Sequence, residues 1–457
     1  MDFPPAIALI AESVRATVGE SLFAIRLVPA LAGTAILVLA ACIARELGGG
    51  RWAQGLAALG VLASPLFLRS ANLFQPVVLD QLTWTLALYA LIRLCRDESP
   101  RWWIALGAAV GLGLLTKFSA AFLGAALLLA ILATPRRAWL RTRWPWLAAL
   151  LALAIGSPSL VGQIRLGFPV LSQMADLRAT QLERVTPLEF IAGQLLWGPA
   201  TLIGLAGLAA LLTRRDLRPF RVVGWTCLCV MAILLALHGK SYYAGPLYPT
   251  LLAAGGVWLE RVGSPRTGAA LRWGAAAALL LFMAVLLPLG VPILAPERMA
   301  RYARAIGATA ALRTNTGEMD RLPQDYADML GWEAQARAVA SVVRALPPAD
   351  RGRAVLVAAN YGEAGALDLF GPRYGLPQVV SPAGSFWFFG PGTRPGDVVV
   401  TIGVSREDLR PLFASVEEAG EVRSPWSVAE ERDLTILVAR GPRRTLQEVW
   451  PSLAGKN

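Results

Sequence analysis

Residues 102–134 read WWIALGAAVGLGLLTKFSAAFLGAALLLAILAT, 33 residues whose only charge is Lys117. A single helix over this run would be roughly 50 Å long, well beyond a hydrocarbon core of roughly 30 Å. The run is therefore expected to fold as two short membrane spans, 102–116 and 119–133, with Lys117 at the turn between them. An ionisable group at membrane depth is costly, and its presence points to function. Lysine is also scarce in this chain, since arginine supplies 40 of the 43 basic residues.

Outward from this run the pattern repeats. Hydrophobic residues make up 55% of the 457 and charged ones 16%, far from soluble-domain usage. About ten apolar stretches of span length lie before Pro296: 25–43, 52–68, 76–92, 102–116, 119–133, 144–161, 188–212, 222–237, 243–259 and 273–294. No later stretch qualifies. The expected fold is mainly α, a polytopic transmembrane helix bundle over residues 1–295. A small external α/β domain over 296–457 follows it.

Charge sets the orientation. The gaps at 45–51, 93–101, 136–143, 214–221 and 261–272 hold 16 arginines. The alternate gaps hold only Arg69, Lys117, Arg165, Arg178, Arg184 and Lys240. This is the positive-inside asymmetry, and it puts the arginine-rich loops in the cytoplasm. Asp2, the loop 72–76, Lys117, Lys240 and everything after Pro296 then face outward. The net charge of +12 is spread over these loops and forms no basic, aromatic-interleaved face, so no nucleic-acid partner is expected. Cys42, Cys95, Cys227 and Cys229 have neither disulfide nor zinc spacing. His238 is the only histidine, which argues against histidine-ligated metals and Ser-His-Asp chemistry. Gly239-Lys240-Ser241 imitates the end of a P-loop, but Leu234 stands where the first glycine is required and a span precedes it.

At the N-terminus, residues 6–18 with Glu12 and Arg15 are too short and polar to span, and suit a helix lying in the interface. In the last third, residues 328–346 read as an amphipathic helix stopped by Pro347-Pro348. Residues 354–359, 397–403 and 434–439 read as strands, with helices over 361–370 and 407–419.

Six residues stand out as chemically useful. Asp80 is expected in the first, outward-facing turn of the third span, either as a helix-end anion or as a carboxylate lining an external cavity. Lys117 and Lys240 suit an anion such as phosphate, against the plainer reading of snorkelling at the interface. Tyr242 and Tyr243 supply a hydrogen-bonding rim beside Lys240. Asp2 faces outward beside Pro4-Pro5, with a disordered terminus as its plain alternative. The Gly-flanked turn at 360–365 could cradle an anion, but such turns are more often structural. The lysines, carboxylates and aromatics together suggest an outward-opening cavity for lipid phosphate.

These residues resemble glycosyltransferase family 39, the bacterial relatives of protein mannosyltransferases and lipid A aminoarabinose transferases. Asp2-Phe3-Pro4-Pro5 is similar to the family's Asp-His-Pro-Pro segment, and residues 74–89 to its loop-to-span segment. Gly113-Leu114-Leu115-Thr116-Lys117 and Gly239-Lys240-Ser241-Tyr242-Tyr243, with Pro246-Leu247-Tyr248-Pro249, resemble two further external motifs. Residues 327–332 and 360–366 resemble one subgroup's external domain. The resemblance implies a C-type membrane glycosyltransferase of the bacterial cytoplasmic membrane, a hexosyl- or pentosyltransferase. It would move a sugar from a polyprenyl-phosphate carrier to an acceptor on the outer face. An external acid would act as general base, here Asp2 or Asp80, while Lys117 and Lys240 with Tyr242 and Tyr243 would hold the lipid phosphate.

The chain departs from the family in two places. Relatives carry a first span and an acidic pair before the Asp-x-Pro-Pro segment, and this sequence begins at that segment. It also has Gln75-Pro76-Val77 where relatives often have Thr-Pro-Asp, with Asp80 nearly one turn later. The expectation is a fragment lacking the first span. The alternative is catalysis by Asp2 and Asp80. Two rival classes remain, a flippase of lipid-linked sugars, which would predict internal repeats that the sequence does not have, and a non-catalytic scaffold. The sequence leaves the acceptor, the sugar and the need for a divalent metal open.

Overall fold

A computed structural model describes residues 4–314 and 317–453. The chain divides into two compact units, with the division between Ile293 and Leu294. The first is all-helical. Five of its described helices are long and apolar enough to cross a membrane: Leu22–Glu46, Pro76–Asp97, Trp144–Arg165, Arg218–Ala236 and Pro265–Gly290. Two bent pairs would raise that number to seven, Ala120–Leu132 with Pro135–Arg141 and Pro187–Gln194 with Pro199–Thr213.

Several expected spans are shorter or broken, and proline explains most of the breaks, because it removes a helix donor and restricts the residue before it. The stretch 52–68 becomes Arg51–Leu62 and Pro65–Ser70. The stretch 188–212 breaks at Gly198, whose φ of 60° precedes Pro199. The stretch 243–259 becomes a 3-10 helix, Ser241–Leu247, followed by Tyr248–Arg261. Residues 102–134 break where expected: Pro100–Thr116 ends at Lys117, which is extended at φ −159°, and Ala120–Leu132 follows. The N-terminal amphipathic segment is the helix Ala6–Thr17, with Arg15 paired to Glu12.

Side-chain contacts draw the five arginine-rich gaps together. Glu46, only 7% exposed, pairs with Arg45, Arg93 and Arg96. Arg136 pairs with Glu98 and reaches the Pro219 carbonyl. Arg261 pairs with Asp216 and donates to the Gly48 carbonyl, and the Glu260 carboxylate accepts from Gly50 N–H. One end of the helical unit is therefore a continuous charged network. Asp80 and Arg93 lie 13 residues apart on one helix, so the site described below sits roughly 20 Å along that helix from this network.

The second unit is α/β. Its five strands are β1 (Ala354–Ala358), β2 (Val379–Val380), β3 (Val398–Ile402), β4 (Phe413–Arg423) and β5 (Asp433–Pro442). They form one sheet in the order β2-β1-β3-β5-β4. The β1 strand pairs parallel with β2 and β3, while β5 is antiparallel to both β3 and β4. The helices Trp332–Ala345 and Tyr361–Phe370 cover one face, and the segment around Leu446, Val449 and Trp450 covers the other.

Two sequence expectations fail here. Residues 407–419 are not a helix; Arg406–Leu409 makes one turn and the rest is the edge strand β4. Its glutamates favour helix locally, but pairing with the apolar β5 outweighs that preference, and the charges suit an exposed edge. The helix expected over 328–346 starts at Trp332, after Gly331 turns the chain with φ of 93°.

Candidate functional site

The helix Pro76–Asp97 begins with proline at its first position, so Asp80 is its fifth residue, just past the first turn. Of the two readings open in the sequence, a helix-end anion and a cavity-lining carboxylate, the bond it makes is not a helix cap but one to a side chain on another element. Its carboxylate is buried, 3% exposed, and Oδ1 accepts a hydrogen bond of 2.8 Å from Ser119 Oγ. Ser119 lies in the break after Lys117, so this bond fastens the third expected span to the turn between the next two.

Close helix packing makes the contact possible. A Cβ on Gly113 would lie 2.8 Å from Ala120 Cβ and 3.3 Å from Thr83 Oγ1. Any side chain at Gly113 would force Ala120, at the start of the helix after the turn, to shift and would crowd Thr83 on the helix bearing Asp80. Lys117 N–H closes the last turn on the Gly113 carbonyl at 2.7 Å. The lysine side chain then runs to Tyr243, with Nζ 4.8 Å from the ring centroid. Tyr242 packs edge-on against Tyr243 at 4.7 Å. Asp80, Ser119, Lys117, Tyr243 and Tyr242 thus form one cluster.

Lys240 joins it through the backbone, since Tyr243 N–H donates to the Lys240 carbonyl at 3.0 Å. Its ammonium is turned elsewhere and donates to Gln181 Oε1. Among the described residues, no direct side-chain contact links it to Lys117 or Asp80. The neighbouring His238 has a φ of 54° and donates from Nδ1 to the Val185 carbonyl at 2.9 Å. The segment around 181–201 therefore straps the Lys240 motif. Gln194 completes the strap, with Nε2 donating to the Ser241 carbonyl at 3.0 Å and Oε1 accepting from Tyr248 at 3.1 Å. Tyr248 stacks on Trp197 at 4.0 Å.

Chemically, both lysines are held by neutral partners, a tyrosine face and an amide oxygen. Neither makes an ion pair among the described residues. Their positive charge is left available to an anion, while Asp80 offers a fixed acceptor beside Lys117. Asp2 lies outside the described residues. Ser119, Gln181 and Gln194 were not singled out in the sequence; only Ser119 had a signal, as a polar residue in the charged turn. Among the described residues, no group of three or more His, Cys, Asp or Glu side chains is arranged to hold a metal ion.

In the second unit the turn at 360–365 opens with a helix cap. Asn360 caps the helix Tyr361–Phe370, accepting from Glu363 N–H at 2.9 Å, while Glu363 returns a bond to the Asn360 N–H. Glu363 is 1% exposed, and burial together with the nearby Glu431 pushes its carboxyl up to about 7.

Residues 2–161, which contain Asp80 and Lys117, match the family model described as dolichyl-phosphate-mannose-protein mannosyltransferase. The whole chain shares its fold with ArnT from Cupriavidus metallidurans. The crystal structure bound to undecaprenyl phosphate aligns with a TM-score of 0.62 and 17% identity, covering 100% of this chain and 89% of that one. The apo structure aligns at 0.61 and 18%, with the same coverage. Both comparisons agree with the family resemblance carried by the sequence motifs. No curated protein sequence matches the chain.

Proposed function

We propose that this chain is a membrane glycosyltransferase that takes a sugar from a polyprenyl-phosphate carrier at the outer face of the cytoplasmic membrane. The observation that carries this reading is one cluster that holds a buried carboxylate, Asp80, and Lys117, a cation with no ion pair among the described residues. Its fold and a family model over the same residues support it, as does the ArnT structure that holds undecaprenyl phosphate.

In the reaction, an acceptor hydroxyl attacks the anomeric carbon of the carrier-linked sugar. A new glycosidic bond forms as the bond from that carbon to the phosphate oxygen breaks. The departing lipid phosphate keeps the electron pair, and Lys117 and Lys240 stabilise its charge, with Tyr242 and Tyr243 at the rim. The acceptor proton passes to Asp80, and Asp2 remains a second candidate acid on motif grounds. Pre-placed positive charge at a developing phosphate and a positioned base are the two effects such a transfer requires. On this reading the arginine-rich loops face the cytoplasm and the second unit lies outside, which the arginine asymmetry supports.

The test is transfer of a radiolabelled sugar from a polyprenyl-phosphate donor to membrane lipid, glycan or protein by the chain in vesicles. Transfer that is lost in Asp80→Asn supports the reading. Movement of the intact donor across the bilayer without transfer would replace it with a flippase.

A further inference from the structure

Ser119 occupies the N-cap position of Ala120–Leu132, where a serine hydroxyl would usually accept from a backbone N–H of its own helix. It makes no such bond. Its hydroxyl instead crosses 39 residues of sequence to donate to Asp80 Oδ1 at 2.8 Å. Lys117 lies two residues earlier in the same turn, so that turn carries an ammonium as well as the partner of the carboxylate, yet no ion pair joins Lys117 to Asp80. The ammonium lies against the Tyr243 ring instead. Opposite charges brought into one buried cluster gain by closing to an ion pair, because burial strengthens their attraction.

We infer that Ser119 is a positioning residue that holds the Asp80 carboxylate off the Lys117 ammonium. The acid is thereby kept free for an acceptor hydroxyl and the cation for lipid phosphate. The inference rests on the proposed function, whose two roles require the groups to act separately. Without the serine hydroxyl, Asp80 turns to Lys117 and competes with the phosphate for it.

The experiment is binding of undecaprenyl phosphate to the purified full chain, followed by tryptophan fluorescence. Ser119→Ala is expected to weaken binding roughly tenfold, the scale of one hydrogen bond to a charged group. Ser119→Thr, which keeps the hydroxyl, is expected to restore it. In an Asp80→Asn background, Ser119→Ala is expected to change nothing further, since no carboxylate remains to compete.

Unchanged binding in Ser119→Ala, with Lys117→Ala weakened, would overturn the inference and leave the phosphate site standing. An equal loss in the Asp80→Asn background would also overturn it, because the serine would then be acting through packing. Unchanged binding in Lys117→Ala would remove the phosphate site and the inference with it.

Discussion

The arginine-rich network and the Lys117 and Lys240 motifs treat charge in opposite ways. At the arginine-rich end, cations are tied to carboxylates: Glu46 gathers Arg45, Arg93 and Arg96, and Asp216 holds Arg214 and Arg261. Around Asp80, roughly 20 Å along the helix Pro76–Asp97, and in the Lys240 motif joined to it, the lysines make no ion pair among the described residues and meet an aromatic ring and an amide oxygen. Paired charges fasten loops to one another. Charges with neutral partners keep their field for something else, and a lipid phosphate is the anion that a membrane surface supplies.

The largest effect that separates the two regions is on turnover. Asp80→Asn should lower sugar transfer by about 100-fold or more, the range of a lost general base, with binding of the lipid phosphate retained. Near-normal turnover would strip Asp80 of its role. Next comes Lys240→Ala, for which a loss of roughly 10-fold or more in polyprenyl-phosphate affinity is expected in a titration. An unchanged titration curve would make Lys240 an interfacial anchor. In the arginine-rich network, Glu46→Gln should leave that affinity untouched and destabilise the helical unit by about 2 kcal/mol, measured as a shift in denaturation midpoint. The figure is discounted because Arg45 and Arg96 are more than half exposed. A binding defect in Glu46→Gln would break the contrast between the two regions.

The smallest effect lies in the second unit and concerns pH. Glu363 titrates near 4.5 when unperturbed and about 7 in the folded protein. Between those values the folded chain keeps a proton that the unfolded chain has released, so stability falls as pH rises through that window. The loss should be about 1–2 kcal/mol, read as faster hydrogen exchange in the β1 strand at pH 7 than at pH 5 after correction for intrinsic rates. Glu363→Gln should flatten the difference. A pH-independent profile in the unaltered chain would contradict the burial argument.

Much of this was legible in the sequence for physical reasons. A 33-residue apolar run cannot be one span, so the break at Lys117 follows from length alone. The arginine gaps announced a shared side, and the folded chain joins them through ion pairs and hydrogen bonds. The strands β1, β3 and β5 are dense in valine, isoleucine and leucine, which gives them away. The edge strand β4 was hidden because Glu417, Glu418 and Glu421 favour helix until β5 is beside them. Within the site, Lys117 and Asp80 stood out as charges in apolar surroundings. The role of Ser119 depends on a contact 39 residues away, and that of Gln181 on one 59 residues away, so neither leaves a local pattern.

The most direct test of the central claim is undecaprenyl-phosphate binding by Lys117→Ala measured beside Glu46→Gln. The account predicts a loss of about 10- to 150-fold for the lysine variant and none for the glutamate variant. Equal affinity in both variants and the unaltered chain would contradict it, since the cation with neutral partners would then hold no lipid phosphate.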